Sequence, residues 1–207
     1  MPNMADKSIY LASRSPRRRE LLRQIGVAFE IIPLREAPRY PADVDETPRA
    51  GEAPEAYVLR IAREKTQAAV GITRVRRLAS RPVLAADTTV VCDNAILGKP
   101  ANATAAARML ESLAGRAHRV LTAVAVTTGD GIDSRVSESQ VWFRALTAEE
   151  IRRYVASGES TDKAGAYAVQ GRAAAFITRI EGSYSGIMGL PLAETAELLR
   201  SHGIVLP

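Results

Sequence analysis

The sequence predicts an α/β protein with a mixed sheet and flanking helices. Apolar, β-branched runs alternate along the chain with segments of helical periodicity, which is typical of this class. Gly129, Asp130 and Gly131 join two long β-branched runs, and such a turn indicates an antiparallel hairpin in the same sheet. No internal repeat interrupts this order.

The first half of the chain is predicted to alternate strands with helices. Ser15 is suited to cap the first helix, and Pro16 suits its first turn because that position needs no backbone N–H. Proline and charged residues indicate a loop over residues 33–51. The predicted elements are a strand at 8–12, a helix at 16–25, a strand at 27–32, a helix at 54–72, a strand at 82–92 and a helix at 103–113.

The second half is predicted to begin with the hairpin. Thr147 and Glu150 then have the spacing of a capping box, in which each side chain binds the backbone N–H of the other residue. The predicted elements are strands at 119–128 and 134–145, a helix at 147–157, a strand at 174–180 and a last helix at 191–201.

Composition excludes several classes of protein. The 207 residues suffice for one large or two small domains, and a charged fraction of 25% is ordinary for a globular protein. The single cysteine, Cys92, cannot form an internal disulfide and is expected to be a small buried residue. His118 and His202 have no ligand-type neighbours at metal spacing, so we expect no zinc site.

The chain is expected to be cytoplasmic and to have an anionic partner. No apolar stretch approaches the length of a membrane helix, and no signal peptide precedes the first strand. The net charge of +5 suits nucleic acid or a phosphorylated metabolite. Charge alone does not choose between them.

The loop after the first strand is a candidate anion site. Its residues, Ser13–Arg14–Ser15–Pro16–Arg17–Arg18, lead into a helix whose first backbone N–H groups attract anions. Ser13 and Ser15 add hydroxyl donors, while Arg17 and Arg18 add guanidinium groups that bind phosphate oxygens in pairs. The alternative is a solvated basic start of a helix.

A carboxylate interrupts an apolar strand at Asp87. Such a group is costly there unless it is paired, metal-bound or exposed in a cleft, and ligands bind at strand ends in α/β sheets. Asp87 is therefore a candidate metal ligand or general base, with an Asx turn as the alternative. Lys99, between Gly98 and Pro100, either reaches a phosphate or is solvated.

Three further residues are weaker candidates. Lys65 lies on the apolar side of helix 54–72, where a lysine usually extends out of the core but can point into a site. Glu46 lies in a charged loop that resembles a solvated one. Gln170 ends a segment rich in small residues and offers donors and acceptors to the edge of a base, unless the segment is an ordinary turn.

Taken together, these segments resemble the Maf family of nucleotide pyrophosphatases. Residues Leu11 to Leu22 resemble the opening signature of that family, and several later segments follow in the family's order. These are Arg60-Ile61-Ala62-Arg63-Glu64-Lys65, Ala86-Asp87-Thr88, Gly98-Lys99-Pro100, Asp162-Lys163-Ala164-Gly165-Ala166-Tyr167 and Gly189-Leu190-Pro191. The resemblance runs from Ser8 to His202, nearly the whole chain.

The resemblance implies one elongated domain over residues 1–207, with two lobes around a deep central cleft and a fold similar to inosine triphosphate pyrophosphatases. It implies hydrolysis of a nucleoside triphosphate to the monophosphate and pyrophosphate, with Mg²⁺ or Mn²⁺ as cofactor. A homodimer is the default expectation for such an enzyme. A nucleic-acid partner is not expected, because the few aromatic residues lie mainly in apolar patterns.

The resemblance also implies roles for individual residues. The expected catalytic residues are Asp87, as proton acceptor, with Lys99, Lys65 and Arg18. The expected metal ligands are Glu46 and Asp87. The expected substrate-binding residues are Ser13, Ser15, Arg17, Thr88, Gln170, Asp162 and Lys163.

The segment Asp162 to Tyr167, followed by Gln170-Gly171, is similar to that of family members selective for dTTP and UTP. Arg17, Thr88 and Gln170 match the positions taken to set this selectivity. Two alternatives stay open. One is the same fold acting on a modified purine triphosphate such as methylated GTP, and the other is a regulator that binds nucleotide or nucleic acid without turnover.

Overall fold

The structure is a computed structural model that describes residues 8–35, 41–129 and 131–206. These ranges contain seven strands, namely β1 (Ser8–Leu11), β2 (Ala28–Ile31), β3 (Val83–Cys92), β4 (Ala95–Leu97), β5 (Ala117–Thr127), β6 (Asp133–Phe143) and β7 (Ile177–Glu181). The α-helices of the same ranges are α1 (Pro16–Gln24), α2 (Pro54–Val75), α3 (Ala103–Leu113), α4 (Ala148–Ala156), α5 (Tyr184–Met188) and α6 (Leu192–Ser201).

All seven strands form one mixed sheet in the order β2-β1-β3-β5-β6-β7, and β4 pairs with β3. β1 is parallel to both β2 and β3, whereas β3, β5, β6 and β7 are antiparallel in succession. The predicted mixed α/β class is therefore confirmed, as is the hairpin of β5 and β6. Asp130 of the predicted turn lies outside the described residues.

Helices cover both faces of the sheet. On one face, α2 packs Tyr57, Val58 and Ile61 against β3 and β5. On the other face, α1 and α6 cover β1 and the first half of β3, while α3 and α4 cover the second half of β3. Successive side chains of β3 therefore point alternately toward α2 and away from it.

β3 has one fully paired edge and one interrupted edge. It pairs with β5 from Val83 to Val91. On the opposite edge it pairs with β1 only at residues 83–84 and with β4 only at residues 90–92. On that edge residues 85–89, with Asp87 at their centre, have no strand beside them, and we call this stretch the open edge of β3.

Several predicted elements are confirmed at or near their expected bounds. Ser15 caps α1 by accepting a hydrogen bond from the backbone N–H of Arg18, and Thr147 and Glu150 form the predicted capping box at α4. Cys92 is buried, as expected, and is a free thiol. The predicted strand at 82–92 is confirmed as β3, and the alternative of an Asx turn at Asp87 is wrong, because β3 runs unbroken through this residue on its pairing with β5.

The region after residue 170 differs most from the prediction. The predicted strand at 174–180 is a 3₁₀ helix at Arg172–Phe176 followed by β7. β6 ends at Phe143, which pairs with Ile177, so residues 174–176 have no neighbouring strand. The short elements β4 and α5 were not predicted, because neither is long enough to show a periodic pattern.

We predict that Gly165→Ala lowers the free energy of unfolding by about 1–3 kcal/mol. Gly165 has φ +67°, and a Cβ at this position would lie 2.8 Å from Val90 Cγ2. The matched control is Gly71→Ala within α2, where a Cβ meets nothing within 4 Å. That change should raise stability by up to about 1 kcal/mol, because alanine favours helix over glycine. Urea unfolding measures both, and a change of the same sign in the two variants would contradict the prediction.

Candidate active site

A cleft of about 630 Å³ lies at the open edge of β3. The sequence singled out twelve residues for the site, and all of them line this cleft. They are Ser13, Ser15, Arg17, Arg18, Glu46, Lys65, Asp87, Thr88, Lys99, Asp162, Lys163 and Gln170. Because the sheet is interrupted here, side chains from both faces of the sheet reach the cleft.

Lys65 lies between two carboxylates. Its Nζ is 2.8 Å from Asp87 Oδ1 and 2.7 Å from Glu46 Oε1. The side chains of Lys65 and Asp87 are only 12% and 11% exposed. Lys65 therefore points into the cleft and does not extend out of the core, and Glu46 is drawn from its loop into an ion pair.

Lys65 and Glu46 shift each other's pKa toward the charged form. Burial alone would lower the pKa of the Lys65 ammonium, but the nearby charges of Asp87 and Glu46 raise it overall. Burial alone would likewise raise the pKa of Glu46, but Lys65, with Lys99 and Arg18, lowers it overall. The stabilising contribution of Glu46 is therefore present above its usual pKa of 4.5 and is lost as the pH falls below that value.

Arg18 is oriented by acceptors from three parts of the chain. Its Nε donates to the carbonyl oxygen of Gly189 at 2.7 Å, its Nη1 donates to Ser13 Oγ at 3.3 Å, and its Nη2 donates to Thr88 Oγ1 at 3.1 Å. These bonds fix a guanidinium group on the cleft wall. Gly189 has φ +118°, which favours glycine at this position.

The two serines of the first loop also order the protein itself. Ser13 Oγ accepts from the backbone N–H of Ser15, and Ser15 Oγ accepts from the backbone N–H of Arg18. An accepting hydroxyl still carries one hydrogen that can be donated to a ligand. Arg17 also lines the cleft, and its Nε donates to the carbonyl oxygen of Met188 at 3.3 Å.

Two loops that are distant in sequence form the opposite wall. The backbone N–H of Gly165 donates to the carbonyl oxygen of Gly98 at 3.1 Å and so joins the turn of Lys99 to the segment 162–170. Within that segment Lys163 forms an ion pair with Asp162. Burial raises the pKa of the Asp162 carboxyl, but the charges of Lys163 and Arg17 lower it overall.

Sequence reasoning missed Thr122. It is wholly buried on β5, and its Oγ1 lies 3.0 Å from Thr88 Oγ1 and 2.7 Å from the carbonyl oxygen of Gly186. The antiparallel register places Thr122 directly opposite Thr88. No local pattern marks this threonine, because only the pairing of β3 with β5 brings it to the site.

A buried histidine–tyrosine pair supports the wall of the cleft and was also missed. Tyr167 lines the cleft, and its hydroxyl lies 2.8 Å from His118 Nε2. His118 and Tyr167 pack edge-on against each other and against Phe143. Burial lowers the pKa of His118 to about 4, so its ring is neutral at pH 7.

The carboxylates of Glu46 and Asp87 fit a hard divalent cation only in part. Both contact the same ammonium nitrogen, and carboxylate oxygens are the ligands that hard divalent cations prefer. The described residues contain no group of three or more histidine, cysteine, aspartate or glutamate side chains placed to hold a metal. A cation bound here would therefore need further ligands from phosphate oxygens and water, which is how Mg²⁺ is commonly held.

We predict that His118→Gln flattens the dependence of stability on pH. In the unfolded chain His118 takes up a proton below its usual pKa of 6.5, whereas in the folded protein it does so only near pH 4. Acidification from pH 7.5 to 5 should therefore lower the free energy of unfolding of the parent protein by about 2 kcal/mol more than that of the variant. Urea unfolding at the two pH values measures this difference, and an equal loss in both proteins would contradict it.

Comparisons with known proteins place the chain in a family. The family described as Maf-like protein matches residues 8–202. A dTTP/UTP pyrophosphatase of Aromatoleum aromaticum is 58% identical over 199 residues, which are 96% of this chain and 97% of that protein. A dTTP/UTP pyrophosphatase of Nitrosospira multiformis is 56% identical over 200 residues, 96% of each chain.

One solved structure, that of the Staphylococcus aureus Ham1 protein, aligns with 94% of this chain and 97% of its own at 17% identity and a TM-score of 0.46. No helix in the described ranges is long and apolar enough to cross a membrane. The family match spans nearly the whole chain, and the two relatives, each more than half identical to it, align with 96% of its residues. The chain belongs to the Maf family.

Proposed function

We propose that this protein hydrolyses a nucleoside triphosphate, dTTP or UTP by preference, to the nucleoside monophosphate and pyrophosphate. The observation that carries the proposal is the buried carboxylate of Asp87, paired with Lys65 in a cleft that Arg17, Arg18 and Lys99 also line. A carboxylate beside several cations suits attack by water on a polyanionic substrate. The names of the relatives support the same reaction.

Release of pyrophosphate requires cleavage between the α- and β-phosphates. A water oxygen forms a bond to the α-phosphorus while the bond from that phosphorus to the bridging oxygen breaks. Asp87 accepts a proton from the water, and Lys65 Nζ, 2.8 Å from Asp87 Oδ1, holds the carboxyl group in position. The bridging oxygen leaves with the pyrophosphate and carries negative charge.

The cations of the cleft stabilise that charge. Arg18 is fixed before substrate arrives, so little reorganisation is needed when the charge develops. Arg17 and Lys99 enter the cleft from opposite walls. Ser13 and Ser15 add hydroxyl donors at the positive end of α1.

A divalent cation, Mg²⁺ or Mn²⁺, belongs to the proposal. Glu46 and Asp87 would hold it together with phosphate oxygens. When bound, it would supply positive charge that neutralises the phosphates and polarises the α-phosphate. The residues of the chain then bind the triphosphate, orient it and take up the proton.

Selection of the base is proposed to rest on Gln170, with Thr88 and Arg17. Gln170 lies at the exposed rim of the cleft, where an amide can donate to and accept from the edge of a pyrimidine. Asp162 and Lys163 complete the same wall as contacts to the substrate. A single domain with two lobes around the cleft, a cytoplasmic location and a homodimer remain part of the proposal.

A nucleotide panel tests the substrate. We expect pyrophosphate release from dTTP and UTP with Mg²⁺ or Mn²⁺, its loss on chelation, and a preference of at least about tenfold over GTP and methylated GTP, which corresponds to about 1.4 kcal/mol. Preference for methylated GTP would favour the modified-purine alternative. Tight nucleotide binding without pyrophosphate release would favour the regulator.

We predict that Asp87→Asn retains the fold but lowers kcat by about a hundredfold or more, because the amide cannot accept the proton. Circular dichroism checks the fold, and pyrophosphate release measures the rate. Asp93→Asn is the matched control, since Asp93 follows the same strand but is 70% exposed and paired with Arg116 outside the cleft. Near-normal turnover by Asp87→Asn would remove Asp87 from the proposed role.

A further inference from the structure

We propose that Thr122 is a positioning residue that holds Arg18 in place through the hydroxyl of Thr88 and through α5. The proposal rests on the proposed function, in which Arg18 binds phosphate. Thr122 is wholly buried and does not line the cleft, whereas Thr88 and Arg18 both line it. Thr122 therefore reaches the substrate only through these neighbours.

The direction of each hydrogen bond in this chain is fixed by chemistry. A guanidinium group can only donate, so Arg18 Nη2 donates to Thr88 Oγ1. A carbonyl can only accept, so Thr122 donates to the carbonyl oxygen of Gly186 at 2.7 Å. Each hydroxyl has one hydrogen, and the contact of 3.0 Å between the two threonines is therefore donated by Thr88.

The chain of hydrogen bonds closes into a ring through α5. The carbonyl oxygen of Gly186, which accepts from Thr122, also accepts from the backbone N–H of Gly189 at 2.9 Å. The carbonyl oxygen of Gly189 in turn accepts from Arg18 Nε at 2.7 Å. Thr122 thus acts on two nitrogens of the guanidinium, on Nη2 through Thr88 and on Nε through α5.

Because Thr122 is buried, loss of its hydroxyl is expected to disturb its hydrogen-bond partners. Its side chain is 0% exposed, so no water replaces a hydrogen bond that is lost there. Thr122→Val keeps the shape of the side chain but removes the hydroxyl. The Gly186 carbonyl then loses a donor and the Thr88 hydroxyl loses its acceptor, so Thr88 can rotate away from Arg18. Thr122→Ser keeps the hydroxyl and should keep the ring.

The first test observes Arg18 directly and does not depend on activity. The Arg18 Nε–H resonance of ¹⁵N-labelled protein is assigned by its loss in Arg18→Lys. We expect its exchange with solvent to become at least about tenfold faster in Thr122→Val, because a loosened hydrogen bond exposes the N–H. It should stay unchanged in Thr122→Ser. An unchanged resonance in Thr122→Val would overturn the proposal.

Thr127→Val is the matched control. Thr127 is a buried threonine on the same strand whose hydroxyl donates to the carbonyl of Gly131 and accepts from the backbone N–H of Gly129, away from the cleft. Thr127→Val should lower stability without changing the Arg18 resonance. If solvent exchange of the Arg18 Nε–H became as fast in this variant as in Thr122→Val, the proposal would be overturned. If Thr122→Val does not fold, Thr122→Ala removes the same hydroxyl with a smaller side chain and is measured in its place.

The second test is a double-mutant cycle on dTTP hydrolysis. Thr122→Val should lower kcat/KM about tenfold in the parent protein but less than about twofold in Arg18→Lys, because the positioned group is already lost. Equal losses in both backgrounds would overturn the proposal. If the parent protein itself releases no pyrophosphate from any nucleotide, the proposed function fails, and the resonance of Arg18 still decides the role of Thr122.

Discussion

The interrupted edge of β3 is the constraint on which the rest of this structure depends. β5 pairs with β3 along nearly its whole length, so the strand stays continuous and buried even where its other edge has no neighbouring strand. β1 and β4 pair with the two ends of that second edge and leave residues 85–89 open between them. A rigid strand is thereby exposed to a cleft at its middle, and both faces of the sheet contribute side chains there.

The ion pairs of Lys65 make a carboxylate tolerable at the centre of a buried strand. Removing an isolated carboxylate from water costs far more than the free energy by which a domain is usually stable. The positive charge of Lys65 offsets the negative charges of Asp87 at 2.8 Å and of Glu46 at 2.7 Å. These two ion pairs connect α2 to β3 and to the loop before α2. The same nitrogen contacts both of the proposed metal ligands, so a cation held by the two carboxylates would have to share this space with Lys65.

Arg18 joins the beginning of the chain to its end. Its partners include Ser13, Thr88 and Gly189, the last of them 171 residues away in sequence. Such a contact forms only after the sheet has brought α1 and α5 together. The loop of Ser13 to Arg18 therefore depends on distant parts of the chain, because the guanidinium of Arg18 is positioned by α5 and by the strand pair β3 and β5.

The sequence by itself determined the class of fold, most of the helices and strands, and twelve of the residues that line the cleft. Helical and strand periods are local, and the loop of Ser13 to Arg18, Asp87 and Lys99 belong to contiguous motifs. Only the tertiary structure decided that Lys65 points inward, and that Thr122 and His118 contact Thr88 and Tyr167 of the cleft. These depend on strand register and on burial, which relate residues far apart along the chain and leave no mark in a short segment.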